Sequence, residues 1–307
     1  MLRIQLHMHT TASRGTRIEY DSVISPKQAI DILSKSGVNA AVVTDHDTTR
    51  AYDLMKSYGK SKGVYVIRGI EVTSSNGHIL GLGVEEGIDK KLNNAQNRLT
   101  AFETADLIRD FCGEVYIPHP FDIEKKGIGM KILEIDGMVE VFNPMNIFGF
   151  ENALADKVAS KLRKTKVVGA DAHMESSLNT CLTCVDSELN EDSILRSLKK
   201  GQVKFENCKY MHLMDFKELV LSRMRFSYQN VMQKINDGWD IDSWYMNYAN
   251  NCAMKKIEKG MLKLGVRKPD AGIWDSMTKI AYVVAMRYAK RVRKEYSKSM
   301  RNERLFL

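Results

Sequence analysis

In the first two-thirds of this chain, short apolar runs alternate with longer amphipathic segments, and nearly every apolar run ends on a histidine or a carboxylate. Alternation of this kind is the mark of strands joined by helices in a mostly parallel sheet or barrel. Strands are expected over residues 3–9, 39–44, 64–72, 114–117, 137–142 and 166–170. The helix after the first of them has readable ends: Ser25 can cap it, Pro26 fits its first turn, and Gly37 can close it in the left-handed conformation. Between those ends Ala29, Ile30 and Leu33 form an apolar stripe. The alternation breaks over 74–83, where Ser75, Asn76 and Gly77 predict a tight turn into a short antiparallel strand.

After about Val203 the pattern changes to long helical segments rich in Met, Tyr, Lys and Arg. Breaks near Asp237-Gly238 and over 266–272 predict three or four helices, the last over about 273–301. A length of 307 residues suits one large barrel or a domain of roughly 200 residues with a smaller one behind it. The change of pattern favours the second arrangement, with domains at 1–205 and 206–307. Charge divides the same way. Residues 1–208 carry 26 Lys and Arg against 28 Asp and Glu, whereas 209–307 carry 20 against 10. The positive excess therefore lies in the helical part, which points to an anionic partner there, nucleic acid being the natural one for region 209–304.

The amino terminus reads as a strand and lacks the pattern of a secretory signal, and no apolar stretch approaches the roughly 20 residues of a membrane span. Five scattered cysteines make no disulfide framework and fit a reducing compartment. A soluble cytoplasmic protein without membrane contact is expected. Cys181 and Cys184 have the spacing of a zinc half-site, but no second pair completes it, and two buried thiols is the better reading.

Six of the seven histidines lie before residue 174. His7 and His9, Asp45 and His46, Glu71, His78, His119, and Asp171 with His173 fall at or just beyond the carboxyl ends of expected strands, or on the hairpin. In parallel α/β architectures that edge is where loops converge to build an active site. His7 and His9 are two apart on a strand, so both imidazoles face one side, and Asp171 and His173 repeat the spacing. A lone histidine is more often a satisfied core residue, but joint placement at one edge predicts a metal cluster. Imidazole with carboxylate suits zinc, manganese or iron, and seven or eight ligands are too many for one ion.

The succession HMH, TDHD, GIE, the histidine of GHILGLG, PHP and ADAH resembles the PHP family, named for polymerase and histidinol phosphatase, over about 1–205. The resemblance implies a distorted β/α barrel of about seven strands and two or three divalent ions (Mn, Zn or Fe). By that resemblance His7, His9 and Asp171 match ligands of a first ion. Glu71 matches the carboxylate that bridges to a second, completed by His78 and His119, and His46 and His173 match ligands of a third. One position departs from the family, which usually has an Asp or His in a Ser-Asp-Gly-like turn after the first pair. This chain has Ser13-Arg14-Gly15, so the third ion loses a ligand unless Glu19 or Asp21 supplies it.

Two such ions about 3.5 to 4 Å apart activate water and stabilise an in-line phosphoryl transition state, so hydrolysis of a phosphoester is the expected chemistry. Catalytic roles fall to Glu71, to Asp45 as the residue that orients a neighbouring ligand, and to Arg14 at the substrate. Arg17, Arg50 and Arg68 are further candidates for phosphate contact. Three functions compete: a nuclease or nucleotide phosphoesterase that uses the basic helices, a small-molecule phosphatase acting on a substrate such as histidinol phosphate or a nucleoside bisphosphate, and an inactive scaffold subunit. The missing acid at Arg14 is the only argument for the last.

Overall fold

A computed structural model describes residues 1–14, 16, 21–95, 97–122, 126–146, 148–238 and 271–302. Its strands are β1 Leu2–Gln5, β2 Ala40–Val43, β3 Tyr65–Ser74, β4 Gly77–Leu82, β5 Glu114–Ile117, β6 Met138–Phe142, β7 Lys166–Val168, β8 Leu182–Val185 and β9 Val203–Glu206. Its helices are α1 Pro26–Lys35, α2 Tyr52–Lys62, α3 Ile88–Asn93, α4 Ala101–Asp110, α5 Phe150–Lys161, α6 Glu191–Lys199, α7 Leu213–Asn236 and α8 Ala271–Asn302.

The strands form one sheet in the order β7-β6-β5-β4-β3-β2-β1-β8-β9. Pairings β1–β2, β2–β3, β5–β6 and β6–β7 are parallel. The hairpin strand β4 runs antiparallel to both β3 and β5, and β8 runs antiparallel to β1 and β9. The sheet curls until its ends approach: Val168 N donates to Thr183 Oγ1 at 3.1 Å, and that hydroxyl donates back to Val168 O at 2.8 Å. A parallel bridge between Met8 and Ala172 continues the closure beyond the strands proper. The result is a nearly closed, distorted barrel. Seven strands, β1–β3, β5–β7 and β9, run in the same direction, and the carboxyl ends of the first six point toward one rim.

Strand alternation divides the core in two. Ala41 and Val43 of β2 pack in a layer with Ile30 and Leu33 of α1 and Met55 of α2, while Ala40 and Val42 pack with Ile4, Leu6, Ile67 and with Ile194 and Leu198 of α6. Helix α1 begins on a capping box between Ser25 and Gln28 with Pro26 in its first turn, and ends just before Gly37 at φ +68°. Strands β8 and β9 are additions to the sequence reading, which passed from strands to helices at Val203. The reason is visible in β9, where Val203, Lys204, Phe205 and Glu206 are all partly or fully exposed and show no apolar face.

The chain divides into two compact units, Leu213–Arg291 and the remainder. Within the smaller unit Leu219 and Leu221 are buried, and Asp275 pairs with Lys217 and, at 2.8 Å, with Lys279. No described helix is long and apolar enough to cross a membrane. Cys181 and Cys184 are buried free thiols, and no metal-competent group among the described residues includes them.

Ile30 is fully buried between α1 and the sheet, so Ile30→Ala is expected to cost about 2–5 kcal/mol of stability, read as a lower urea midpoint at unchanged slope.

Candidate metal centre

Strand β1 leaves its ladder at Gln5, yet the chain stays extended through His9 because both flanks hold it. Thr44 N donates to Met8 O at 3.1 Å on one side, and His9 N donates to Ala172 O at 2.9 Å on the other. His7 and His9 therefore project from the same face of an extended segment at the rim. Gln5, two residues earlier and fully buried, accepts from His7 N at 3.1 Å and Ala170 N at 3.2 Å, and its amide donates to Leu178 O at 2.7 Å. The continuation of β2 brings His46 opposite Glu71 in a parallel bridge, and β4 pairs His78 with Thr73. His119 follows β5 and Asp171 follows β7, with φ of +25° and +48°. Such values are costly for non-glycine residues and persist only where surroundings impose them.

All these side chains converge. His7 Nε2, His9 Nε2, Glu71 Oε2 and Asp171 Oδ1 form a first group: the two imidazole nitrogens are 3.2 Å apart, and their distances to the carboxylate oxygens run from 3.0 to 3.4 Å. Ligands about 2.0–2.1 Å from a tetrahedral ion sit about 3.3 Å from one another, so the spacing fits a transition metal. A second group is His46, Glu71 and His78, with His46 Nε2 at 3.4 Å from Glu71 Oε2 and His78 Nδ1 at 3.0 Å from Glu71 Oε1; His119 belongs to none of the three groups, although its Nε2 lies 3.2 Å from the same Oε1. The third group contains His9, His46, His173 and Asp21. Asp21 Oδ1 lies 2.7 Å from His173 Nε2, and its Oδ2 lies 3.2 Å from His9 Nδ1 and 3.7 Å from His46 Nε2. Asp21, rather than a residue of the Ser13-Arg14-Gly15 turn, thus brings a carboxylate to this group.

Electrostatics favour cations here. Burial alone would push the carboxylates toward neutrality, but the imidazoles around them win: His173, His9 and His46 hold Asp21 well below the carboxylate range, and His46, His78 and His7 do the same for Glu71. Burial likewise disfavours the imidazolium of His9, yet Asp21, Asp171 and Glu71 raise its pKa to about 10. His46 goes the other way, and burial lowers it well below the histidine range. His78 Nδ1, the atom that faces Glu71, is buried without a hydrogen-bond partner among the described residues, as suits an atom aimed for coordination. Cations that replaced the protons would satisfy the same acceptors.

The remaining candidates sit elsewhere. Asp45 does not hydrogen-bond a histidine; it accepts from Thr10 N at 2.6 Å, Thr10 Oγ1 at 2.8 Å and Ser13 Oγ at 2.9 Å, tying down the loop under His9, and burial raises its pKa to about 6. Arg14 is half-buried beside that loop, and the Arg50 guanidinium donates to the carbonyls of Ala12 and Arg14, so Arg50 braces the turn. Arg68 stacks on the Tyr52 ring of α2, 4.3 Å from its centroid, on the strand face opposite Glu71. Arg17 and Glu19 lie outside the described residues. Glu140, Gln5 and Asn143 escaped the sequence reading. Glu140 is 1% exposed, and its oxygens take hydrogen bonds from His7 Nδ1, Tyr116 Oη, His119 N and Asn143 Nδ2. A glutamate inside the apolar run Met138–Phe142 was the signal available.

Asp21→Asn is expected to lower the bound metal by about one equivalent per chain against wild type, by elemental analysis after loading with Mn2+ or Zn2+. The protons on His7 and His9 must leave when a cation binds, because coordinating imidazoles are neutral. A raised pKa in the metal-free protein means stronger proton competition as pH falls, so apparent affinity should climb as pH rises toward about 10, with proton release visible as buffer-dependent heat in calorimetry.

A family model described as PHP-associated matches residues 149–203. The uncharacterized protein MJ1587 of Methanocaldococcus jannaschii is 33% identical over 168 residues, which cover 52% of this chain and 94% of that protein. The phosphoribosyl 1,2-cyclic phosphate 1,2-diphosphodiesterase of Eggerthella lenta is 38% identical over 88 residues, 27% of this chain and 31% of its own length. In fold, the chain is similar to a crystal structure of a two-domain protein from Bacteroides vulgatus containing a predicted PHP-like metal-dependent phosphoesterase. The TM-score is 0.52 at 16% identity, covering 66% of this chain and 64% of that one. With its barrel, its rim of histidines and carboxylates and these relatives, the chain belongs to the PHP domain family.

Proposed function

We propose that this protein hydrolyses phosphodiesters at the rim cluster and that its substrates are single-stranded nucleic acids or their fragments. The observation that carries the proposal is the overlap of the three groups: Glu71 belongs to two of them, and so do His9 and His46. Ions held by overlapping groups would share these ligands, and a pair of divalent ions would supply activated water and charge neutralisation for in-line attack on phosphorus. The chain's own part is placement. Glu71 offers its two oxygens to different neighbours, Oε2 to His7, His9 and His46 and Oε1 to His78 and His119. Asp171 faces the His7–His9 side and Asp21 the His173 side. The carboxylate of Asp21, grouped with His9, His46 and His173, weighs against an inactive scaffold.

Two further facts bear on the substrate, the first favouring a diester over a monoester and the second a polymer. The relative from Eggerthella lenta is a diphosphodiesterase of a small cyclic phosphate. On α8 the side chains of Arg287, Lys290, Arg291, Arg293, Lys294 and Lys298 are exposed, and most of them share one helical side, so a phosphate backbone could be followed along it.

Glu71→Ala and His119→Ala are each expected to lower Mn2+-supported hydrolysis of bis(p-nitrophenyl) phosphate by at least roughly 100-fold while circular dichroism keeps the wild-type spectrum. Near-normal turnover by either folded variant would sink the assignment of the cluster as the reaction site. Reversal of Arg287, Lys290, Lys294 and Lys298 to Glu should weaken binding of single-stranded RNA and flatten its log-linear salt dependence by about 0.7 per lost contact, leaving the small diester unaffected. Unchanged affinity and slope in that variant, with intact hydrolysis, would redirect the proposal to a small substrate.

A further inference from the structure

We infer that Glu140 is a positioning residue for the metal centre, one carboxylate that sets the orientation of His7, the loop bearing His119 and, through Asn143, the carboxylate of Asp171. This rests on the reading of the rim as a metal site and goes beyond it, because Glu140 belongs to none of the three metal-competent groups. Its oxygens face donors only. Oε1 accepts from His7 Nδ1 at 2.9 Å and Tyr116 Oη at 2.6 Å; Oε2 accepts from His119 N at 2.7 Å and Asn143 Nδ2 at 2.8 Å. Four donors on two oxygens is an arrangement that a carboxylate satisfies and a side-chain amide cannot.

Each bond has a consequence at the rim. With Nδ1 donating to Glu140, the other nitrogen of His7 is the one turned to His9, Glu71 and Asp171, and an imidazole held this way is a better and better-aimed ligand. The bond from His119 N helps hold that residue at φ +25°, a conformation its backbone would otherwise leave, and so keeps Nε2 at 3.2 Å from Glu71. Asn143 Nδ2 also donates to Asp171 Oδ2 at 3.2 Å, which leaves Oδ1 as the oxygen facing His7 and His9. The space is tight. A Cβ on Gly169 would lie 2.6 Å from Glu140 Oε1, 2.6 Å from His7 Cβ and 2.7 Å from Tyr116 Oη, so only glycine lets the three close up.

The test uses the full chain stripped of metal, with Zn2+ titrated calorimetrically into wild type, Glu140→Gln and Glu140→Asp, and with histidine side-chain nitrogens followed by NMR in the Zn2+-loaded proteins. Glutamine keeps the shape but turns an N–H toward donors; aspartate keeps the charge but falls short of His7. Both are expected to weaken the tightest Zn2+ event by about 10–100-fold. Both should also lose the slowly exchanging Nδ1–H signal of His7. A role confined to stability would lower the melting temperature and leave affinity and that signal as in wild type, and this would overturn the inference. If Glu140→Gln does not fold, Glu140→Asp alone decides, since wild-type affinity in it would mean that charge without position suffices. Failure of the wild-type chain to take up Zn2+ would overturn the metal reading and this inference with it, whereas equal uptake by wild type and both variants overturns this inference alone.

Discussion

Carboxylates are expensive to bury, and this fold buries several of them within one barrel mouth. Glu71 and Glu140 are each 1% exposed and Asp21 5%, while Asp171 keeps only a 13% exposed side chain. An ionised carboxylate moved into a protein interior loses several kcal/mol of hydration even after relaxation, and recovers it only through close opposite charge and hydrogen bonds. Here the repayment comes from imidazoles at 2.7 to 3.4 Å and from N–H and O–H donors fixed on the neighbouring strands. That debt constrains everything around it. Six strands must deliver their carboxyl ends to a single rim, and the sheet must curl far enough for the segment after β7 to meet the segment after β1.

Regular secondary structure does not achieve this delivery unaided. At three of the strand ends the backbone takes a conformation that non-glycine residues avoid, at Asp47, His119 and Asp171. In each case the strain is held locally: Asp47 N donates to Glu71 O at 2.9 Å while its carboxylate accepts from Thr73 N at 2.8 Å, and Glu140 accepts from His119 N. Cys112, Arg163 and Asn207 share the conformation without carrying a candidate ligand, so such strain is not confined to the site, but at the rim it accompanies the aiming of several side chains at one point. Gln5 does a parallel service on the opposite flank, and its amide spends both ends on backbone groups of three different segments. Site and scaffold are therefore one network here, in which the polar groups that support the rim are as deeply buried as those that line it.

Strand ends and histidines were legible in the sequence because they obey short-range rules. A period of two puts His7 and His9 on one face, and an apolar run that stops at a titratable residue announces a strand end. Glu140 was not legible for the same reason that it matters: it occupies an ordinary strand position whose partners, His7 and His119, are 133 and 21 residues away. Asp45 misled in the opposite direction. Adjacency to His46 suggested an orienting carboxylate, but neighbours along an extended chain point to opposite faces, and Asp45 turns to Thr10 and Ser13 instead. Arg50 and Arg68 show how poorly an arginine's role follows from its proximity in sequence to a motif. One is used on backbone carbonyls and the other on an aromatic ring.

The balance of charge in the chain bears on what approaches the rim. A barrel mouth lined with buried carboxylates repels a phosphate unless imidazolium or metal charge offsets them, and divalent cations invert the sign of such a site most effectively. Attraction at a distance must come from elsewhere, and in this chain it is available on α8, whose exposed arginines and lysines belong to a segment with a twofold excess of basic over acidic residues. Those cations are screened over about 8 Å at physiological ionic strength, so they act on an anion that extends along the surface rather than on a compact one. A small monoester would gain little from them, while each additional phosphate of a polymer would gain again. The proposed preference for nucleic acid rests on this difference in range between buried charges that act on a bound group and exposed basic charges that act along a polyanion.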